Sequence, residues 1–479
     1  MRNLTMLIDF YELTMANSYF LQGKNELASF DLFFRKIPDN GGYAIMAGLE
    51  QVIQYIDELE FSNEDIEFLR TKKIFAEEFL TYLKSFKFSG SLYAVKEGTP
   101  IFPNEPVLTV IAPIIECQIM ETMLLLTINH QSLIATKTAR IVSAAQGRNV
   151  IEFGSRRAQG YDAANYGARA AYIAGVIGSA NTFTERRFNI PALGTMAHSY
   201  VQSFPSEYEA FLAYAKTYPN DALFLVDTYS TLKSGIPNAI KVAKEYLIPR
   251  GHRLKGVRID SGDLAYLSKE IRKMFDEAGL EDAQITASNA LDEYLIQELL
   301  RQDAKIDSFG VGERLITSKS DSVFGGVYKL SALMEKGKWV PKMKLSDNVE
   351  KTTLPGIKGL YRFYDENNKA IADVITLSDE VIDASKPYHL FDPIHPWKSK
   401  TITNYRVVSL LTPIFINGNL VYNKPSLTEI RSYHKEEMKT LWDEVKRFEF
   451  AHKYYVDLSK PLWELRKKLI NHYLEKIEL

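Results

Sequence analysis

The sequence predicts an α/β fold in which parallel strands alternate with helices in the middle of the chain. Between residues 131 and 335, short apolar runs alternate with amphipathic helical patterns every ~25 to 30 residues, as in βαβ units with right-handed crossovers. Polar residues also follow the end of each apolar run. These observations are compatible with two architectures, an open doubly wound sheet and a barrel.

The elements of this middle zone follow from the length and periodicity of its apolar runs. The predicted strands are residues 149–153, 222–226, 254–259, 284–287 and 308–311. The predicted helices are residues 158–177, 236–247, 264–278 and 291–301. In a barrel the carboxyl ends of these strands meet on one face, whereas an open sheet spreads them along an edge. A single cluster of polar side chains therefore favours the barrel.

The segments before and after the middle zone have different patterns of apolar and charged residues. Residues 1–130 mix both patterns, with helical spacing over 63–84 and short strands over 88–110. Residues 336–425 are β-type. Residues 426–479 carry mixed charges at helical spacing, which predicts a solvated pair of helices and not a nucleic-acid site.

Composition excludes several classes of protein. The chain has 479 residues, of which 46% are hydrophobic and 25% charged, and its net charge is −2. This excludes a disordered chain and a bulk polyanion binder. The single cysteine, Cys117, excludes a disulfide framework and a cysteine-rich zinc site, and fits a reducing compartment. No apolar run reaches about 18 residues, and Asp9 interrupts the N-terminal apolar segment, so we expect a cytoplasmic protein without a membrane span.

The segment Arg258-Ile259-Asp260-Ser261-Gly262-Asp263 combines an arginine, two carboxylates and a glycine at a predicted strand end. This set suits an anion together with a polyol or Mg²⁺, and the helix that follows offers backbone amides to a phosphate. The alternative is that Asp260 or Asp263 only caps that helix. Capping does not require the arginine, so we favour a binding function.

Two further strand ends have groups suited to phosphates and flat rings. Gly310-Val311-Gly312-Glu313-Arg314 is a glycine loop whose backbone amides can approach a phosphate. Many tight turns share this pattern, and it lacks the third glycine of dinucleotide-binding loops. In Phe153-Gly154-Ser155-Arg156-Arg157, the aromatic ring can stack on a flat ligand while Arg156 meets an anion.

His198, within Gly194-Thr195-Met196-Ala197-His198-Ser199, is one of eight histidines. A lone histidine is more often structural, but Thr195 offers a hydroxyl and Asp227 ends the next predicted strand. A carboxylate that orients an imidazole makes it a base or a nucleophile. No second histidine or cysteine at ligand spacing supports a transition-metal site.

Near the start of the chain, Asp9-Phe10-Tyr11-Glu12-Leu13-Thr14-Met15 fits a helix start, with Asp9 as a cap and Tyr11 as a core aromatic. Together with the other motifs, this segment resembles the nicotinate phosphoribosyltransferase family. The resemblance runs from about residue 7 to residue 360 and continues more weakly to the end. It rests on motifs in the family's order at residues 9–15, 152–158, 194–199, 257–263 and 325–330.

The resemblance implies the architecture of type II phosphoribosyltransferases. That is an irregular α/β barrel with a smaller α+β domain built from the N- and C-terminal parts, followed here by a helical C-terminal extension. It also implies a homodimer with sites shared across the interface. The implied reaction joins nicotinate to 5-phosphoribosyl-1-pyrophosphate (PRPP) and releases nicotinate mononucleotide and pyrophosphate. ATP hydrolysis is coupled to it through a phosphohistidine, and Mg²⁺ is held mainly by PRPP and pyrophosphate.

The resemblance also implies roles for individual residues of this chain. The catalytic residues would be His198, which is phosphorylated, Asp227, which orients it, and Asp260, which binds the ribose hydroxyls. The nicotinate-binding residues would be Phe153, Thr195, Arg258 and, from the neighbouring subunit, Tyr11. The residues that bind PRPP and its phosphates would be Arg156, Ser288, Asn289, Gly312 and Glu313.

Two positions depart from related sequences. Related nicotinamide enzymes have an aspartate that accepts from the amide NH₂ at the position of Ala180. A carboxylate there would repel nicotinate, so Ala180 favours the acid as substrate. Glu313 stands where relatives have a small residue or threonine, and a carboxylate beside a phosphate is unfavourable unless it points away.

Four other functions fit the sequence less well. Nicotinamide phosphoribosyltransferase has the same fold and donor, and Ala180 argues against it. Quinolinate phosphoribosyltransferase is a much shorter chain without an ATP-linked histidine. A phosphate-binding aldolase barrel would need a strand-end lysine, which the middle zone lacks. A scaffold that binds a partner through its C-terminal helices leaves the strand-end charges unexplained.

Overall fold

The structure is a computed structural model, and it describes residues 3–346 and 351–477. The helices of this described part are α1 (Phe10–Leu21), α2 (Leu49–Asp57), α3 (Asn63–Thr71), α4 (Glu77–Lys84), α5 (Ile114–Ile119), α6 (Glu121–Ala144), α7 (Tyr161–Ile173), α8 (Thr182–Phe188), α9 (His198–Gln202), α10 (Glu207–Thr217), α11 (Ile236–Val242), α12 (Leu264–Glu277), α13 (Glu293–Arg301), α14 (Glu313–Ile316), α15 (Leu427–Thr440) and α16 (Lys460–Ile477). None of these helices is both long and apolar enough to cross a bilayer.

The strands are numbered along the chain in the same way. They are β1 (Leu27–Phe33), β2 (Ala44–Ile45), β3 (Ser91–Val95), β4 (Pro100–Ile101), β5 (Leu108–Pro113), β6 (Asn149–Glu152), β7 (Leu223–Leu225), β8 (Gly256–Ile259), β9 (Gln284–Ala287), β10 (Ser308–Val311), β11 (Val327–Glu335), β12 (Lys338–Pro341), β13 (Lys358–Tyr364), β14 (Ala370–Leu377), β15 (Tyr388–Phe391), β16 (Ser399–Ile402), β17 (Arg406–Ser409), β18 (Leu411–Ile416), β19 (Asn419–Leu420) and β20 (Val456–Leu458).

The chain divides into two compact units. The central unit comprises Ile134–Ser322, and the two-ended unit comprises Met1–Leu133 with Val323–Leu479. The resemblance likewise implies an α/β barrel from the middle of the chain and a second domain from both ends, and its domain boundaries stay a prediction. The two-ended unit is the larger of the two.

A five-stranded parallel sheet forms the middle of the central unit, in the order β6-β10-β9-β8-β7. Its strands are buried on both faces, as is usual for parallel sheets; fully buried examples are Phe224, Val257, Ile285 and Phe309. The last strand, β10, pairs with the first, β6. Isolated bridges from Glu152 to Ser179 and from Ser179 to Ala192 continue the sheet beyond β6. This pairing of last strand with first is typical of barrels and fits the predicted irregular barrel.

The predicted elements of the central unit are found close to their expected bounds. β9 and β10 begin and end where predicted. The helix expected over 158–177 is shorter, because Gly160 adopts a φ of +103° directly before α7 and the helix ends at Ile173. The helix expected over 236–247 is α11 followed by a π-helical turn at Ala243–Leu247.

The two-ended unit contains two larger sheets. One is antiparallel with seven strands in the order β12-β11-β1-β5-β3-β18-β19, and the other has four strands in the order β17-β13-β14-β20. The helical pattern over residues 63–84 forms two helices, α3 and α4. Lys73, between them, has a φ of +55°, a left-handed conformation that a right-handed helix does not accommodate.

The C-terminal segment forms the two expected helices, α15 and α16, but more of it is buried than its charges suggest. Between the helices, β20 pairs in parallel with β14. Tyr454, Leu458 and Leu462 are buried in the two-ended unit. A three-residue strand has too few positions to show a periodicity among so many charged residues, so the sequence pattern does not reveal it.

Candidate active site

The carboxyl ends of β7, β8 and β9 are joined by side-chain hydrogen bonds. Asp227, after β7, accepts at Oδ2 from the backbone N–H of Asp260 at 2.9 Å and from the hydroxyl of Ser261 at 2.7 Å. Asp260, after β8, accepts at Oδ1 from the hydroxyl of Ser288 at 3.0 Å. Three predicted site residues, Asp227, Asp260 and Ser288, therefore form one network at neighbouring strand ends.

His198 is the first residue of α9 and lies beside this network. Its Nδ1 is 3.1 Å from the hydroxyl oxygen of Thr228, and its Nε2 is 3.9 Å from Oδ1 of Asp227. That Oδ1 is buried and has no hydrogen-bond partner among the described residues. The imidazole is 39% exposed, so one edge is held by Thr228 while the ring stays accessible to a ligand.

Thr228 was not singled out from the sequence. Thr228 directly follows Asp227, at the end of a predicted strand, and this position could have marked it as a site residue. Threonine is common at strand ends, however, so the position alone does not distinguish it. The 3.9 Å separation is too long for a hydrogen bond, so the hydrogen-bond partner of the imidazole is Thr228 and not the predicted Asp227. The Asp227 carboxylate lies beside the ring without a hydrogen bond to it.

Arg258, on β8, points its guanidinium toward Thr195. Nη1 of Arg258 donates to the Thr195 hydroxyl oxygen at 3.3 Å, while the buried Nε has no hydrogen-bond partner within the described part of the chain. Burial lowers the pKa of Arg258, and the nearby carboxylates of Asp260 and Asp227 oppose this effect. The group stays cationic at neutral pH and retains unused donors, which suits a carboxylate ligand.

The loop after β6 is fixed by Glu152, a residue of the motif to which no role was assigned. The Glu152 carboxylate is fully buried and accepts from the backbone N–H of Gly154 and from the Ser179 hydroxyl, the latter at 2.6 Å. Burial raises the pKa of Glu152. These contacts hold the backbone that presents Phe153, and they leave Arg156 exposed at the surface of the central unit.

Phe153 explains why residue 310 is glycine. A Cβ atom at Gly310 would lie 2.5 Å from two carbons of the Phe153 ring, a distance that excludes any side chain. The Phe153 N–H also donates to the Val311 carbonyl at 2.8 Å. Gly310 thus leaves room for the Phe153 ring. Gly312 instead lies at the start of α14, in the predicted phosphate-binding loop.

Glu313 points toward cations. Its carboxylate accepts from Lys319 Nζ at 2.6 Å and lies 3.8 Å from Arg157 Nε. The Lys319 ammonium lowers the pKa of Glu313. The charge of the Glu313 carboxylate is therefore balanced by Lys319 and Arg157.

Asn289 has an unusual backbone conformation, and Ala180 is held at the end of β6 by a backbone hydrogen bond. Asn289 follows the buried Ser288 and has a φ of +108°, which is rare for a residue other than glycine and is concentrated at functional loops. Ala180 is exposed, and its N–H donates to the Glu152 carbonyl at 2.8 Å. Residue 180 therefore lies beside the carboxyl end of β6, at the same edge of the sheet as Phe153.

Tyr11 belongs to the two-ended unit, on the first turn of α1. Its side chain is 47% exposed, so it is not the core aromatic that the helix-start interpretation assumes, and the Asp9 side chain makes no capping hydrogen bond. Burial of part of the ring and the carboxylates of Glu121 and Glu12 raise the pKa of Tyr11 to about 12. The phenol is therefore protonated at neutral pH.

The buried carboxyl group of Glu12, next to Tyr11, should make the stability of the protein depend on pH. Its side chain is fully buried, accepts from the Thr122 hydroxyl at 2.7 Å, and has a pKa that burial raises from 4.5 to about 8. The folded chain then holds a proton that the unfolded chain releases, so stability falls as pH rises from 4.5 to about 8. We expect Glu12→Gln to leave the thermal midpoint unchanged near pH 5 and to raise it by a few degrees at pH 8.

Scanning calorimetry at the two pH values measures this effect. Glu78→Gln, at an exposed position on α4, is the matched control and should show no pH-dependent gain. A gain from Glu12→Gln that is equal at both pH values would contradict a protonated Glu12.

The described residues contain no group of three or more His, Cys, Asp or Glu side chains arranged to hold a metal ion. The polar network at the ends of β7, β8 and β9 instead combines a cation, two carboxylates and an accessible imidazole. Such a set can bind an anionic ring substituent and a polyol, and can accept a transferable group on a nitrogen.

Comparisons with known proteins cover nearly the whole chain. Residues 6–129 match the N-terminal domain of nicotinate phosphoribosyltransferase, residues 149–378 match the nicotinate phosphoribosyltransferase family, and residues 357–466 match the C-terminal domain of that enzyme. The three matches follow the order of the chain and include every strand-end motif described above.

Relatives with similar sequences and structures agree with these matches. The nicotinate phosphoribosyltransferase of Bacillus subtilis is 45% identical over 99% of this chain and 97% of its own length. The human nicotinate phosphoribosyltransferase is 30% identical over 97% of this chain and 96% of its own. The crystal structure of human nicotinic acid phosphoribosyltransferase superposes with a TM-score of 0.85, covering 97% of this chain and 100% of that one. The chain therefore belongs to the nicotinate phosphoribosyltransferase family.

Proposed function

We propose that this protein joins nicotinate to PRPP, giving nicotinate mononucleotide and pyrophosphate, and couples this transfer to ATP hydrolysis through His198 in the salvage of NAD. The observation that carries the proposal is the network at the ends of β7, β8 and β9, which brings Asp227, Asp260 and Ser288 together beside an accessible imidazole. The chain belongs to the nicotinate phosphoribosyltransferase family, and the network provides groups suited to the reaction of that family.

Nicotinate is proposed to bind with its carboxylate toward Arg258 and Thr195. The unused donors of Arg258 match an anionic group, and a partly buried charge-assisted hydrogen bond is stronger than an exposed one. The Phe153 ring, placed by Gly310, would stack on one face of the pyridine. Tyr11 from the neighbouring subunit of a homodimer would cover the other face, for which its exposure on α1 is suited.

PRPP is proposed to bind with its ribose hydroxyls on Asp260 and its phosphates near Arg156, Ser288, Asn289, Gly312 and Glu313. In the transfer, the bond from ribose C1 to pyrophosphate breaks and a bond from C1 to the nicotinate nitrogen forms. The centre between them is oxocarbenium-like, so the residues contribute by position and charge more than by a strong base. Mg²⁺ bound together with PRPP would supply charge neutralisation for the pyrophosphate.

His198 is proposed to take the γ-phosphoryl group of ATP, releasing ADP, and to lose it later to water. Its accessible ring and its fixed orientation by Thr228 support this role. The buried Oδ1 of Asp227 lacks a hydrogen-bond partner in the described residues, and it would stabilise a positively charged imidazole beside it.

Base selectivity tests the proposed substrate. Purified protein with PRPP, Mg²⁺ and ATP should form mononucleotide from nicotinate and much less from nicotinamide. Ala180→Asp should raise the KM for nicotinate by about tenfold or more, because a like charge next to a bound anion is costly. Ala180→Asn, of similar size and no charge, is the matched control and should change this KM little. Product from nicotinamide alone would identify the amide as the substrate instead.

A further inference from the structure

An ion pair links the segment after β9 to the helix after β10. Nη1 of Arg314, on α14, contacts Oδ2 of Asp292, and the other oxygen of Asp292 accepts from the Leu295 N–H at 2.9 Å. Asp292 therefore caps α13 with one oxygen and binds Arg314 with the other. Its side chain is only 15% exposed and that of Arg314 is 38% exposed, so the pair is partly shielded from solvent.

The two segments that the pair joins contain the residues proposed to bind the phosphate of PRPP. Ser288 and Asn289 lie in the first segment, and Gly312 and Glu313 lie in the second. The ladder between β9 and β10 ends at Ala287 and Phe309, so no strand pairing sets the distance between the segments beyond that point. Beyond that point, the contact between Asp292 and Arg314 joins the two segments.

The start of α13 is fixed independently of Arg314. Glu293, the residue after Asp292, is fully buried and binds Lys137 Nζ at 2.8 Å and Arg140 Nε at 2.9 Å, both on α6. The first segment is thus anchored to the body of the central unit. Through Arg314, the ion pair then holds the second segment at a set distance from the first.

We propose that Asp292 and Arg314 are a positioning pair that sets the spacing of the two phosphate-binding segments and so determines the affinity for PRPP. The proposal rests on the proposed function, because that function identifies the phosphate ligand. Neither side chain is assigned a contact with nicotinate, with the ribose or with His198. Loss of the pair should therefore weaken PRPP binding selectively.

Steady-state kinetics of Asp292→Asn, Arg314→Gln and the double variant test the proposal. Asparagine is a good N-cap, so Asp292→Asn keeps the cap of α13 while removing the ion pair. We expect each single variant to raise the KM for PRPP by about fivefold, with kcat and the KM for nicotinate within about twofold. The double variant should be little worse than either single one, as required of two residues that act together.

Arg301→Gln is the matched control. Arg301 forms an ion pair with Glu298 at 2.7 Å further along α13, so its loss should leave the KM for PRPP unchanged. An unchanged KM for PRPP in both single variants overturns the proposal. So does an equal fall in kcat and in kcat/KM for both substrates together with a lower thermal midpoint, because that is the signature of a merely structural pair.

Failure of the proposed function is distinguishable from failure of the pair. If the unsubstituted protein does not turn over PRPP, the proposed function fails. Calorimetric titration with ribose 5-phosphate then decides the proposal: weaker binding by Asp292→Asn than by Arg301→Gln supports it, and equal binding overturns it.

Discussion

Replacing His198 by alanine should abolish the stimulation of nicotinate mononucleotide formation by ATP and leave a slower PRPP-dependent transfer. The proposed transfer uses the positions and charges of Arg258, Asp260 and the phosphate-binding segments, to which His198 does not contribute. ATP acts only through the imidazole, which alanine removes. Initial rates of mononucleotide formation, measured with and without ATP, and the rate of ADP release give both quantities.

His252→Ala is the matched control for this variant. His252 also lies in the central unit, before the amino end of β8, and its Nδ1 is 2.8 Å from Oδ1 of Asn220. It should retain full stimulation by ATP. Thr228→Val, which keeps the shape of the side chain and removes the hydroxyl, should reduce the stimulation without changing the basal rate. Full stimulation in His198→Ala would contradict the phosphohistidine.

Replacing Arg258 by alanine should impair the use of nicotinate far more than the use of PRPP. Loss of one partner of a partly buried, charge-assisted contact costs about 3 kcal/mol, which is roughly a hundredfold in kcat/KM for nicotinate. The buried Nε of Arg258 lacks a partner in the described residues, so this donor is available to a carboxylate. Kinetics with each substrate varied at saturating levels of the other separate the two effects.

Two further variants sharpen this result. Arg258→Lys keeps the charge but loses the planar pair of donors, so it should fall between alanine and the unsubstituted protein. Arg253→Ala removes an exposed arginine shortly before β8 that pairs with Asp282, and it should not affect the use of nicotinate. If the KM for nicotinate were unchanged in Arg258→Ala, the carboxylate of the substrate would have to bind elsewhere.

The alternation of strands and helices in the central unit could be predicted because each apolar run is short and bounded by polar residues. β9 and β10 are predicted without error for this reason. The strand-end rule also predicts the proximity of Asp227 and Asp260, which are far apart in the sequence and share a hydrogen bond at 2.9 Å. Parallel strands bring such residues to one edge whatever the sequence between them.

Contacts that depend on side-chain direction could not be predicted in this way. Thr228 contacts His198, and Asp292 contacts Arg314, although neither pair shows a pattern in the sequence. The burial of Glu152, which fixes the loop that presents Phe153, also follows only from the packing of the strands. The roles of the site residues toward nicotinate, PRPP and ATP stay predictions.

The most direct test of ATP-coupled nicotinate transfer is one assay of the unsubstituted protein with PRPP, Mg²⁺ and nicotinate, in the presence and absence of ATP. Nicotinate mononucleotide and pyrophosphate are measured together, so that the transfer is followed from both products. We expect equal amounts of the two products and a yield that ATP raises. Absence of mononucleotide under both conditions would contradict the proposed transfer, and a yield independent of ATP would contradict the coupling through His198.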